Sequence, residues 1–428
     1  MPKPKKPKPE IIQSPKGMHD ILPQDAPLWE KVRKTAKEIA EFYNFQKLET
    51  PILERAELFE RSVGETTDII EKQMFILTTK GKERLALRPE ATASIARAYI
   101  QNGLSQLGQP VKIFYEGPMF RYEQPQAGRF REFHQVDFEI ISHEDDPIYD
   151  AQVILVLCRF LEALKIKNLS ATLNSIGCKG CRPPYKKELQ NYYKNLKDQL
   201  CPDCGRRLEL NPLRLLDCKQ EKCETLKKEA PIIIDHLCDH CHDHFKAALE
   251  YLDELGLPYT LDHHLVRGLD YYTKTVFEVF TEGVSSSLGG GGRYDYLIEL
   301  LGGRSAPAVG WAAGLERIIE VIKSQNINLG LRSRPKVFLI HIGNLAKKKS
   351  LRLIEDLREA DIPVSESLAK ESLKAQLRAA DKASSPLALI FGQKEAYEES
   401  VIVRDLRSGL QESVPLKKLV ETIKKKLK

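Results

Sequence analysis

A chain of 428 residues exceeds what one ordinary core holds, so two or three domains are expected. Its 42% hydrophobic and 29% charged content excludes a disordered polymer, and no run of about 18 apolar residues is present to span a bilayer. The formal net charge of +6 is uneven: residues 335–428 hold 19 Lys/Arg against 13 Asp/Glu, residues 1–10 hold 4 Lys against 1 Glu, and residues 11–334 hold 43 against 46. A basic end on a near-neutral body suggests that one module touches a polyanion while another performs chemistry.

Residues 1–10 alternate Lys and Pro, so a disordered basic tail is expected over 1–14, with a weak nucleic-acid contact as the alternative. They contain no apolar signal segment, which predicts a cytoplasmic chain with reduced cysteines. Trp29, Val32, Ala36, Ile39 and Ala40 at helical spacing predict a helix over 25–43. A second helical piece is expected over 51–58, short strands over 74–77 and 83–87, and a helix over 92–100. Two strand-like runs, 111–122 and 130–141, flank the polar loop 123–128 and predict an antiparallel hairpin. A helix over 150–164 and a strand over 171–176 follow. Strands are expected to resume at Leu265 and over 276–280, followed by the glycine run 289–292, a helix over 294–301 and a core helix over 315–323. Residues 325–334 read as a linker. Beyond it, strands at 337–342, 364, 387–391 and 401–403 alternate with helices at 350–360 and 372–380, the pattern of a small α/β domain.

Arg121 and Arg129 sit on either side of the hairpin loop, where two guanidinium groups beside Glu123 suit a polyphosphate with its metal ion. Ordinary surface ion pairs are the alternative. Glu90, in Arg88-Pro89-Glu90-Ala91-Thr92, suits either a helix start or a substrate ammonium. Gln135 and Glu139 lie four apart on one strand and so share a face, as a polar pocket floor requires. Residues 265–272, Leu-Val-Arg-Gly-Leu-Asp-Tyr-Tyr, place Arg267 beside a glycine and two tyrosine hydroxyls. A core strand with half-buried tyrosines would look similar. The run Gly289–Gly292 lacks the ending of a P-loop and suits a strand passing close to a flat ligand, or a bulge.

Arg88-Pro89-Glu90, Phe120-Arg121-Tyr122-Glu123, residues 265–272, Gly291-Gly292-Arg293-Tyr294-Asp295 and Gly314-Leu315-Glu316-Arg317 together resemble the histidyl-tRNA synthetase family of class II aminoacyl-tRNA synthetases. The resemblance runs from about Ser14 to the end of the chain. It implies an α+β chain: an antiparallel sheet core with helices over 15–177 and 258–328, a Cys-rich insertion over 178–257, and an anticodon-binding α/β domain over 335–428. It implies that Arg121, Glu123, Arg129, Phe133 and Arg317 bind ATP. Glu90, Thr92 and Gln135 would take the histidine α-amino group, and Glu139 and Tyr272 the imidazole, with Tyr271 and Tyr294 completing the pocket. Arg267, with Arg121, would stabilise the α-phosphate as the carboxylate attacks. ATP with Mg²⁺, L-histidine and tRNA(His) are the implied partners, and a homodimer is implied through a motif 1 element near Pro51. The chain departs from the family at Gln124, where arginine usually precedes the proline, and this bears on how the tRNA acceptor end is read.

Eight of the nine cysteines form four pairs: Cys178/Cys181, Cys201/Cys204, Cys218/Cys223 and Cys238/Cys241. Such spacing in a reduced chain suits structural zinc, with His236, His240 or His242 as substitute ligands and unliganded thiols as the alternative. Spacing alone leaves the pairing open. Cys158, in an apolar helix, reads as a core residue. Two rival functions are a catalytically silent histidine-binding regulator and a zinc-stabilised nucleic-acid module with a decayed site. The former would lack 265–272 and the basic end; intact Arg121, Arg267 and Arg317 argue against the latter.

Overall fold

The structure, a computed structural model, describes residues 11–64, 67, 69–126, 128–330 and 336–427. The Lys/Pro tail expected over 1–14 lies outside the described residues up to residue 10, as do residues 331–334 of the expected linker; residues 11–14 are exposed and irregular. The chain divides into two compact units between Leu329 and Gly330. No helix among the described residues is long and apolar enough to cross a membrane.

The first unit is built on the hairpin. Val111–Phe120 and Glu132–Ile141 pair antiparallel along their whole length, because both alternate β-branched and aromatic residues with residues for the opposite face. They are part of an eight-stranded sheet in the order Gln46–Lys47, Val111–Phe120, Glu132–Ile141, Ala308–Gly314, Gly289–Arg293, Thr273–Thr281, Leu169–Ser175, Tyr259–Leu261. It is antiparallel except at its two ends, where short strands pair in parallel.

The period of two assigns its faces. Phe138, Ile140, Trp311 and Phe277 point into a core closed by helices Ala26–Phe42, Ile148–Ala163 and Leu315–Ser324. Within it Phe138 stacks on Trp311 with ring centroids 4.6 Å apart. The opposite face carries Gln135, Asp137 and Glu139, roofed by helix Thr92–Gln101 and by Tyr271, Tyr272 and Tyr294. A three-stranded sheet of Leu53–Arg55, Arg84–Leu87 and Phe75–Thr78 lies alongside. Residues 182–236 form short helices around a separate core that includes Tyr185, Leu189, Tyr193, Leu208 and four cysteines.

The second unit is a five-stranded sheet in the order Val364–Glu366, Val337–His341, Leu387–Phe391, Ser400–Asp405, Gln411–Pro415. Val337–His341 and Leu387–Phe391 are buried throughout. Their alternate residues feed two separate apolar clusters, one on each face, which is why they read as continuous apolar runs.

Three expectations change. The helix predicted over 51–58 begins only at Ala56, because Leu53–Arg55 is a strand paired with Arg84–Leu87 and the Arg88 guanidinium holds the carbonyls of Thr50 and Pro51. Leu265 is not in a strand: Asp262 accepts from the N–H groups of His264 and Leu265, and Asn174 takes the carbonyls of His263 and Leu265. These bonds, all to or from side chains except the one from the Leu265 N–H to the Asp262 backbone carbonyl, replace a ladder with a turn. The helix expected over 294–301 is only Leu297–Leu300, since Tyr294 still bonds the neighbouring strand through the Ala308 carbonyl. Strand Gln411–Pro415 and helix Leu416–Lys426 are additions.

The glycine run is itself a strand, with a bulge between Gly292 and Arg293. A Cβ on Gly291 would strike the Gly310 carbonyl, which cannot move without breaking the sheet. Gly291→Ala is therefore expected to destabilise the protein by about 3 kcal/mol. Gly205→Ala, in a helix with open space around it, should be neutral or slightly stabilising. Thermal unfolding of the two variants checks the contrast.

Candidate active site

Three acidic side chains meet under helix Thr92–Gln101. Glu90 precedes that helix and accepts from the backbone N–H of Thr92 (2.8 Å) and Ala93 (2.9 Å) and from the Tyr271 hydroxyl (3.2 Å). The helix-start use and the pocket use of Glu90 thus coincide. Glu139, 1% exposed, accepts from the Thr92 hydroxyl (2.7 Å) and the Tyr294 hydroxyl (2.7 Å). Gln135 and Asp137 each keep a buried oxygen, Oε1 and Oδ2, without a hydrogen-bond partner. The partners of Glu90 and Glu139 are hydroxyls and backbone N–H groups, not cations. Burial consequently raises Glu90, raises Asp137 well above the carboxylate range, and pushes Glu139 up to about 8. A site so composed attracts a cationic group.

The arginines gather at the other end. Arg121 Nε donates to the Pro89 carbonyl (2.9 Å), and its guanidinium lies 5.1 Å from the Phe133 ring centroid. Arg267 is ion-paired to Glu278 and lies over Tyr272, 5.8 Å from its centroid. Arg317 donates to the carbonyls of Gly128 (3.3 Å) and Ser287 (3.2 Å), and Arg129 pairs with Glu123 at 3.5 Å. Burial lowers Arg121 and Arg317, with Arg129 adding to the effect at Arg317 while nearby carboxylates, Glu123 among them, work against it.

One cavity of about 390 Å³ joins the two ends. Of the residues assigned to histidine and ATP, all but Glu139 and Tyr294 line it; those two are bonded to each other, and Glu139 to the lining Thr92. Gly290 lines it as well, on the strand beside Arg267. The faces explain the convergence: hairpin, glycine strand and strand Ala308–Gly314 are neighbours; the hairpin presents Phe133, Gln135 and Asp137 and the third strand Ala312 and Gly314 at a period of two, while Gly289 and Gly290 both border the cavity.

Several contributors escaped the sequence reading. Asp137 was legible, since the spacing that pairs Gln135 with Glu139 also selects the residue between them. Glu278 is the counter-ion of Arg267. Glu316 accepts the backbone N–H of His134 with both oxygens (2.9 and 3.0 Å) and touches its Nδ1 at 2.9 Å, tying the helix of Arg317 to the hairpin. Arg207, Arg214 and Asp217 reach the cavity from the insertion, and no local pattern marks them.

The cysteines sort into two groups: Cys178, Cys181, Cys238 and Cys241, and Cys201, Cys204, Cys218 and Cys223, each with all sulfurs within 4.8 Å of one another. His236, His240 and His242 belong to neither. All nine thiols are free, and Cys158 is a buried core residue. Although burial opposes ionisation, N–H donors from Cys181 and Gly180 bring the Cys178 thiol down to about 6. Both groups could hold a metal ion, with four protein ligands and no open position.

The family model described as histidyl-tRNA synthetase matches residues 17–178 and 205–318, and that of an anticodon-binding domain matches 336–426. A histidine–tRNA ligase of Dehalococcoides mccartyi is 46% identical over 97% of this chain and 100% of its own. One of Natranaerobius thermophilus is 44% identical over 97% and 99%. The apo histidyl-tRNA synthetase structure from S. aureus superposes with a TM-score of 0.81 at 31% identity, covering 97% of this chain and all of that one. With arginines and acids gathered in one cavity and the match running through both units, this chain belongs to the histidyl-tRNA synthetase family.

Proposed function

We propose that the chain activates L-histidine with ATP to histidyl-adenylate and pyrophosphate, then passes histidine to the 3′ end of tRNA(His). The observation that carries this is the two-ended cavity: buried acids and hydroxyls at one end, guanidinium groups at the other. Histidine is cationic at its α-amino group and, when protonated, at its ring; ATP is a polyanion. Glu90, Thr92 and Gln135 would receive the ammonium, Glu139 and Tyr272 the imidazole, and Tyr271 and Tyr294 close the pocket around them. Two polar partners reject a side chain that cannot pair with both.

Arg121, Arg129 and Arg317 would bind the phosphates, with Phe133 stacked on the base and Glu123 near it. Glu123 and Glu278, which line this part of the cavity, would hold Mg²⁺ brought with the triphosphate, an ion that would offset its charge. No protein base is required, because the histidine carboxylate is already a nucleophile. Arg267, held by Glu278, would stabilise charge on the α-phosphate as the bond to pyrophosphate breaks.

The basic second unit is read as the tRNA anticodon-arm module. Exposed Gln124, in the hairpin loop, would alter acceptor-end contacts. A cytoplasmic homodimer is part of the same reading, and exposed Ile52, Leu53, Ile76 and Leu77 around the three-stranded sheet support it. The two cysteine groups are read as structural zinc sites.

Arg267→Ala is expected to slow histidine-dependent pyrophosphate exchange roughly 100-fold or more; near-normal exchange would remove its catalytic assignment. Deleting residues 335–428 should abolish tRNA charging while adenylation persists, and equal loss of both would contradict the division of labour. Glu139, raised to about 8 from a carboxylate's usual 4.5, makes the ligand-free protein lose stability as pH climbs through that window, since the unfolded chain ionises first. Glu139→Gln should flatten that decline in melting temperature while weakening histidine binding. An unchanged pH profile would argue against a neutral buried acid.

A further inference from the structure

We propose that the buried set Cys201, Cys204, Cys218 and Cys223 is a zinc site that builds one wall of the active site and thereby holds Arg214 against the Arg267 loop. The proposal rests on the reading of the cavity as a synthetase site.

The donor geometry comes first. Cys201 Sγ lies 3.8 Å from Cys218 Sγ, the separation that two Zn–S bonds of about 2.3 Å subtend in a tetrahedron and far beyond a disulfide bond of about 2.05 Å. Backbone N–H groups already point at sulfur: Cys201 at Cys223 (3.3 Å) and Cys204 at Cys201 (3.4 Å), as thiolates bound to a metal require. All four residues are buried in the core of the insertion, and a core of that size gains little stability from apolar burial alone. The histidyl-tRNA synthetase family model matches residues 17–178 and 205–318, so Cys201 and Cys204 lie outside the residues it matches.

The placement of the intervening chain supplies the role. Between the two pairs run the end of helix Pro202–Leu210 and the turn Pro212–Leu215, and this stretch carries Arg207, Arg214 and Asp217 to the cavity. Arg214, 8% exposed, donates from Nη1 to the Arg267 carbonyl at 3.2 Å. Asn211 donates to Asp270 Oδ1 at 3.0 Å. The segment is thus anchored to sulfur at both ends and bonded in its middle to residues 267–270. Zinc would act as the far support of a positioning residue, Arg214, with no contact to reacting atoms. The outer set, whose Cys178 is half-buried and Cys238 exposed, joins the two ends of the insertion and has no residues between its pairs that reach the cavity except through this inner segment.

The test combines metal counting with kinetics on the full-length protein. Purified wild type should hold zinc at both sets, about two ions per chain, and Cys223→Ser about one, with a corresponding loss of thiolate-to-cobalt absorption after cobalt exchange. The kcat for histidine-dependent pyrophosphate exchange should fall about tenfold or more in Cys223→Ser. Arg214→Ala should show a similar fall with full zinc and an unchanged KM for histidine, and the double variant should be no slower than either single one. Full zinc in Cys223→Ser, zinc loss without a change in kcat, or multiplied effects in the double variant would each overturn the proposal. If Cys223→Ser does not fold, normal kcat in Arg214→Ala overturns it. Wild type active without zinc at this set defeats the zinc wall alone, whereas a zinc-loaded wild type inert with histidine defeats the synthetase reading and the wall role with it.

Discussion

The interaction on which this structure turns is the burial of Glu139 and its neighbours on one strand face. Removing a carboxylate from water costs several kcal/mol unless it is paired or protonated, and here its partners are two hydroxyls, from Thr92 and Tyr294. Those donors come from different elements, so the acid can be tolerated only where helix Thr92–Gln101 and the glycine strand meet the hairpin in one register. The register in turn demands a bare backbone: a Cβ on Gly310 would collide with the Glu139 carboxylate. Packing and function are therefore set by the same few atoms.

A second layer of charge lies farther from the cavity. Arg293, next to Tyr294, is 1% exposed and contacts Asp145, Asp150 and Asp295. Asp150 also takes a bond from His244 at 2.8 Å and the Thr275 hydroxyl at 2.7 Å. Although burial works against it, Arg293 holds Asp150 below the usual carboxylate range. Removing one member would leave an uncompensated buried charge, so the network locks the strand that presents Tyr294. His244 lies on helix Asp239–Glu254, which starts beside Cys238 and Cys241, so the insertion is bound to the core by charge as well as by the chain.

The legible parts of the chain were those with a local physical signature. Trp29, Val32 and Ala36 announce a helix by spacing. Val111–Phe120 and Glu132–Ile141 announce a hairpin by alternation around a polar loop. Gln135 and Glu139 share a face by the same period, which also reaches Asp137. What failed did so where longer-range bonds overrode the local pattern: Asp262 and Asn174 convert an apparent strand at Leu265 into a turn, strand pairing and Arg88 withhold a helix until Ala56, and the Ala308 carbonyl keeps Tyr294 on the sheet.

Sequence alone determined the element types of the hairpin and of the second unit up to Asp405 apart from helix Gln393–Tyr397, the uneven charge, and the inventory of acids, arginines, tyrosines and paired cysteines, because propensity, periodicity and composition act over a few neighbouring residues. Only the tertiary structure decided which cysteine pair faces which, that Glu278 neutralises Arg267, that Glu316 ties His134 to the helix of Arg317, and that Arg214 of the insertion reaches the Arg267 carbonyl. Each of these joins residues through sheet order or core packing, and no local rule encodes the distance between them.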